Sequence, residues 1–129
     1  MLIWMTNLAA GVKQRVKDGD KKPTRYYSSK QEKNVAKNIG GRQTSNSGAT
    51  DFSKGDVRTK KWLLECKTKT SPSQQITVHK EWITKNRQEA LFMGKPYSAV
   101  AFSFGPGEEN HYIIDEDLFI KLCEVLENE

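Results

Sequence analysis

Asp56, Glu65 and Lys67 are the residues of this chain whose types and spacing can do chemistry. They lie in the stretch Lys54-Gly55-Asp56-Val57-Arg58-Thr59-Lys60-Lys61-Trp62-Leu63-Leu64-Glu65-Cys66-Lys67. Trp62 to Lys67 is a short, apolar-rich run of strand formers, and alternate side chains of a strand point to opposite faces. Glu65 and Lys67 therefore share one face, and Trp62, Leu64 and Cys66 share the other, where burial is the default for such residues. Gly55 before Asp56, and the polar run from Arg58 to Lys61, predict two antiparallel strands joined by a turn that brings Asp56 beside Glu65. Two carboxylates then meet one ammonium.

That trio suits metal-assisted cleavage of a phosphodiester. A hard divalent cation such as Mg²⁺ takes carboxylate, backbone carbonyl and water oxygens, and leaves positions for a substrate phosphate. An ammonium beside it can orient the attacking water and stabilise the charge that develops on the phosphate oxygens. The plainer account, that these are ordinary charges on the wet face of a hairpin, is not excluded by the triple alone.

The elements that must position these groups are legible in outline. Ser28 or Ser29 can cap a helix running to about Asn38, because Ser28-x-x-Gln31 and Ser29-x-x-Glu32 have capping-box spacing and Gly40-Gly41 ends the pattern. Glu32, Val35, Ala36 and Ile39 recur at i, i+3, i+4 and i+7, so Glu32 lies along the apolar stripe and off the Lys-rich face. Arg42 to Phe52 has no apolar period and reads as a loop. Thr68 to Gln75 supplies hydroxyls, amides and Lys69 as a rim for substrate. A helix follows over about Val78 to Met93, stopped by Gly94 with Pro96 beyond. Tyr97 to Phe104 reads as a strand buried on both faces in the centre of a sheet, and His111 to Ile114 as its return. Asp115-Glu116-Asp117 opens an amphipathic helix whose Leu118, Leu122, Val125 and Leu126 are expected to cover the sheet; helix-start electrostatics accounts for the acids without a metal. The order of elements predicts an α/β chain, a mixed sheet flanked by helices.

At 129 residues the chain suits a single domain. The expected division is a helix and basic arm over residues 1–27, then one domain over residues 28–129. The net charge of +5 conceals an asymmetry: residues 1–70 hold sixteen Lys or Arg against six Asp or Glu, and residues 71–129 hold five against ten. The basic half contains the carboxylate pair, as expected of a protein that holds a polyanionic backbone around a cation. Cys66 and Cys123 stand far apart with no zinc-ligand spacing, which fits a reducing, cytoplasmic setting. No apolar run approaches the roughly 20 residues of a membrane span, and the opening Met1-Leu2-Ile3-Trp4-Met5 turns polar too soon for a secretory signal. No Ser/His/Asp or Cys/His arrangement and no Gly-rich phosphate loop is present, so covalent nucleophilic catalysis has little support.

Over residues 25 to 104 the sequence resembles the small PD-(D/E)xK nucleases of the Holliday-junction-resolvase-like kind, phage-type versions above all. The resemblance rests on Tyr27-Ser28-Ser29-Lys30-Gln31-Glu32-Lys33, Gly40-Gly41-Arg42, Ser45-Asn46-Ser47-Gly48-Ala49, Gly55-Asp56-Val57 and Leu64-Glu65-Cys66-Lys67-Thr68 in that order. Gly55 stands where the motif's name has Pro. The resemblance implies a restriction-endonuclease-like core and a Mg²⁺- or Mn²⁺-dependent DNA endonuclease that leaves 5′-phosphates. Asp56, Glu65 and the Cys66 carbonyl would bind metal, Lys67 would position or activate water, and Glu32 would join the metal cluster or its outer shell. Arg42, Ser45 and Ser47 would contact phosphate beside the catalytic face, with Arg25, Lys30, Lys69 and Lys85 as further nucleic-acid contacts. Branched DNA is the expected substrate and a twofold homodimer the expected assembly, since resolving a junction takes two coordinated cuts. A bacterial host or phage-infected cytoplasm is the implied setting, in DNA recombination. The alternatives are another PD-(D/E)xK DNase of nicking, homing or restriction type, and a non-catalytic DNA-binding module with this fold.

Overall fold

The computed structural model describes residues 22–44 and 55–129. Among them the chain forms α1 (Thr24–Ile39), β1 (Arg42–Gln43), β2 (Val57–Arg58), β3 (Trp62–Thr68), α2 (Lys80–Phe92), β4 (Tyr97–Ser103), β5 (His111–Ile113) and α3 (Glu116–Glu127). The strands make one mixed sheet in the order β1-β2-β3-β4-β5. β2 and β3 pair antiparallel, Val57 opposite Leu64 and Arg58 opposite Leu63, as the turn residues predict. β3 and β4 pair parallel from Trp62–Tyr97 to Thr68–Ser103, with α2 as the crossover that a parallel pair requires. No helix among the described residues is long and apolar enough to cross a membrane.

Strand parity decides which residues form the core. Leu64, Cys66, Ala99 and Ala101 pack with Val57 and with Val35 and Ala36 of α1, so α1 covers one face of the sheet. Leu63, Glu65 and Lys67 point to the other face, where α2 lies. There Asn86, nearly inaccessible, donates to the carbonyls of Leu63 and Ala99 at 3.1 Å each and ties the crossover helix to both strands. Packing on both sides explains why Leu63 and Leu64, adjacent in sequence, are both buried.

Three expectations are corrected. First, α1 begins at Thr24 after an extended Pro23, so Ser28 and Ser29 lie inside the helix and cap nothing. The Ser28 hydroxyl donates instead to the Arg25 carbonyl one turn back, and the expected boundary at residue 28 falls within this helix. The helix ends as expected, with Gly40 in the left-handed conformation at φ 69° and the Gly41 amide donating to the Ala36 carbonyl at 2.8 Å. Second, Arg42 and Gln43 are not loop but an edge strand, paired with Arg58 and Val57. A side chain at Gly41 would meet the Arg58 carbonyl oxygen at 2.7 Å, so the glycine is what lets the chain approach β2.

Third, α3 does not cover the sheet. None of its residues is buried, and Phe119 and Leu126 are 58% and 62% exposed. Its start is held by a 2.6 Å ion pair from Asp115 to Arg87 of α2. Leu122 lines an apolar groove of about 420 Å³ with Ile39, Trp62, Leu64, Tyr112 and Ile114, and is itself 41% exposed. The expected stripe is present, but it faces outward.

Candidate metal and nucleic-acid site

The site grows from the β2–β3 hairpin. Gly55 takes φ 76°, a conformation open to glycine, and a Cβ there would strike the Leu63 side chain at 2.7 Å. Thr44 braces this turn: its hydroxyl donates to the Gly55 carbonyl and its amide to the Asp56 carbonyl at 3.0 Å. The Asp56 amide then donates to the Leu64 carbonyl at 2.9 Å, and the Asp56 carboxylate accepts from the Cys66 amide at 2.7 Å. Thus Asp56 is fixed at both ends, main chain and side chain, against β3. The N–H and C=O of one strand residue point the same way, so the Cys66 carbonyl also faces Asp56, past the end of β2.

Glu65 and Lys67 share the predicted face. The Lys67 ammonium lies 3.4 Å from a Glu65 carboxylate oxygen and 5.1 Å from the centre of the Trp82 ring, which steadies the lysine from α2. Burial pushes the Glu65 carboxyl up to about 7, and the negative charge of Asp56 adds to this against the opposing pull of Lys67. Asp56 is raised for the same first reason, burial, and is held back by the Cys66 amide, by Lys67 and by a hydrogen bond with Glu65. Burial thus holds both carboxyl groups toward the protonated form beside one ammonium. Such a pair lacks positive charge, and a hard divalent cation would supply it. The donor set fits Mg²⁺ or Mn²⁺: two carboxylates and a carbonyl oxygen, with the remaining positions open to water and phosphate. Among the described residues no group of three or more His, Cys, Asp or Glu side chains is arranged to hold a metal, so side chains alone do not complete the shell.

Glu32 is 3% exposed, which a capping residue would not be. It accepts from the Gln43 amide at 3.2 Å and lies 3.8 Å from the Arg25 guanidinium. Burial raises its carboxyl, and Asp56 raises it further. It thus contacts Gln43 and Arg25 and lies within electrostatic reach of Asp56.

The remaining expected contacts are scattered. Arg25 serves Glu32, while Lys30 sits 5.3 Å over the Tyr26 ring. Lys69 follows β3, its amide on the Ser103 carbonyl at 3.3 Å. Lys85 is exposed on α2, one turn from Trp82, and Arg42 is exposed on β1. Ser45 and Ser47 lie outside the described residues. Sequence reasoning missed Gln43, which holds Glu32, and Gln31, whose amide donates to the Lys67 carbonyl at 2.8 Å. The capping-box pattern absorbed Gln31, and Gln43 fell within a presumed loop, in a two-residue strand that leaves no period in the sequence.

Compared with protein-family models, with curated proteins and with solved structures, the chain matches none.

Proposed function

We propose that this chain is a metal-dependent DNA endonuclease with a restriction-endonuclease-like core, acting on branched DNA. One observation carries the reading: Asp56 and Glu65 are held together in a half-buried position with Lys67 3.4 Å from Glu65. Their carboxyl groups are raised by burial. Asp56, Glu65 and the Cys66 carbonyl would hold Mg²⁺ or Mn²⁺. The cation, when bound, supplies Lewis-acid charge to a phosphate oxygen and to water. The remaining work falls to the chain. Asp56, pinned by the Cys66 amide, presents its other oxygen without rearrangement. Glu65 would offer its carboxylate to the cation in the deprotonated form. Lys67, steadied by Trp82, donates to a phosphate oxygen or to the attacking water, and Glu32, held by Gln43 and Arg25, adds to the electrostatics around Asp56.

The sequence resemblance to phage-type Holliday-junction-resolvase-like PD-(D/E)xK nucleases supports the same reading and supplies the branched substrate. The basic first half of the chain supports DNA as the polyanion. The outward apolar face of α3 supports a homodimer, which would set two sites across a twofold axis.

The test uses a labelled four-way junction and a matched linear duplex, each with Mg²⁺ or EDTA, with Asp56→Asn as the control. Paired symmetric cuts in the junction alone, lost in EDTA and in the variant, are expected. Cutting of both substrates would retain the metal site and discard junction selectivity. Binding without cutting under any metal would leave a non-catalytic DNA-binding module.

A further inference from the structure

A cleft of about 470 Å³, separate from the carboxylate pair, opens beside the carboxyl ends of β3 and β4. Its volume lies in the range of small-ligand sites, and the carboxyl ends of parallel strands are where such sites recur in α/β sheets. Tyr26 and Tyr27 form one wall, edge to face at 5.3 Å, and the ammonium groups of Lys22 and Lys30 lie 5.5 and 5.3 Å from the Tyr26 ring centre. Gln31, 8% exposed, follows one turn after Tyr27 on the same helix, and Asn110 and Glu108 line the cleft from the segment after β4.

The Gln31 amide nitrogen donates to the Lys67 carbonyl at 2.8 Å and to the Asn110 side-chain oxygen at 3.1 Å. Both partners there are acceptors, which fixes the orientation of the amide and commits both of its hydrogens. The Gln31 Oε1 is left with no partner. Asn110, accepting through its oxygen, keeps its amide nitrogen as a donor. An unpaired acceptor and a donor therefore stand side by side in a cleft that the two tyrosines also line.

We infer that this cleft takes one nucleobase turned out of its stack, face against the tyrosines and polar edge toward Gln31 and Asn110, with its phosphate drawn to Lys22 and Lys30. Every nucleobase carries a neighbouring donor and acceptor on its pairing edge, so the site tolerates all four, as stacking sites for single strands do. The inference rests on the DNA reading above and gives it a substrate requirement, an unpaired nucleotide beside the cut. Gln31 holds the carbonyl of Lys67, so the cleft and the catalytic ammonium share one residue of β3.

The test uses the full chain in EDTA, where cutting cannot occur, and a short single strand carrying 2-aminopurine or, in its place, an abasic nucleotide. Stacking should quench the 2-aminopurine emission on binding, and the abasic strand should bind about tenfold more weakly. Tyr26→Ala and, as a second variant on the loop, Asn110→Leu should each shrink that difference while retaining binding of the abasic strand. Equal binding of the two strands, or an equal loss for both in each variant, would overturn the inference. Base-dependent binding with no Mg²⁺-dependent cutting of any DNA would sink the nuclease reading and leave the cleft assigned. Cutting without base dependence would do the reverse.

Discussion

The Asp56 carboxylate accepts the Cys66 amide at 2.7 Å across the hairpin, so the first acid of the site is oriented by the strand that carries the second. The bond separates two substitutions that both remove the charge. In Asp56→Asn the side-chain oxygen still accepts the amide, so the fold should hold while affinity for Mg²⁺ falls by at least the 10–100-fold that follows loss of a group supporting metal ligands. Asp56→Ala leaves the amide unpaired and should also cost about 1–3 kcal/mol of stability. Calorimetric Mg²⁺ titration and urea unfolding of both variants check the distinction.

Glu65 makes the stability of the metal-free protein depend on pH. Its carboxyl is raised from 4.5 to about 7 in the folded state, so between these values the native chain keeps a proton that the unfolded chain has lost. Unfolding free energy then decreases as pH rises through this window. Glu65→Gln should flatten the fall and stabilise the metal-free protein at pH 7.5 by about 1–3 kcal/mol. Thermal melts in EDTA from pH 5 to 8 provide the measurement; parallel curves for both proteins would remove Glu65 as the cause.

On the nuclease reading proposed above, cation and proton would compete for the same oxygens and so set the pH dependence of cleavage. Cleavage should rise through about pH 7 at low Mg²⁺, where Glu65 releases its proton, and the inflection should move to lower pH as Mg²⁺ increases. Initial rates on a four-way junction across a grid of pH and Mg²⁺ test this. An inflection indifferent to metal concentration would separate the titration from the metal.

The exposed face of α3 yields a prediction about assembly. A helix of 12 residues gains little stability alone, and Val125 and Leu126 are 59% and 62% exposed. The double substitution Val125→Lys and Leu126→Lys removes no buried contact within the chain, so it should leave a folded monomer where the parent protein is a dimer by light scattering. A parent that is already monomeric at every concentration would remove α3 as the homodimer surface.

How much of this was legible from sequence follows the range of the interactions. Asp56, Glu65, Cys66 and Lys67 lie within twelve residues, and strand parity plus one turn suffice to bring them together. Glu32 was visible as an acid on an apolar stripe, but its position depends on Gln43, eleven residues along, in a two-residue strand too short to show a period. The polar ties from Gln31 and Asn86 satisfy strand carbonyls 13 to 36 residues from the donor, and nothing in local sequence marks such long-range hydrogen bonding. The face of α3 was read correctly as apolar; what it packs against is not a local property. Pro23 outweighed the serines in setting the start of α1, since it closes the extended segment ahead of the helix.

Gly55 also bears on how this sequence can change. Proline holds φ near −65°, whereas position 55 stands at φ 76° with Leu63 filling the space where a side chain would begin. The residue for which the motif is named is therefore closed to this chain unless the turn and Leu63 change together. Any side chain at position 55 therefore has to be accompanied by a smaller residue at position 63 and by a turn that accepts it.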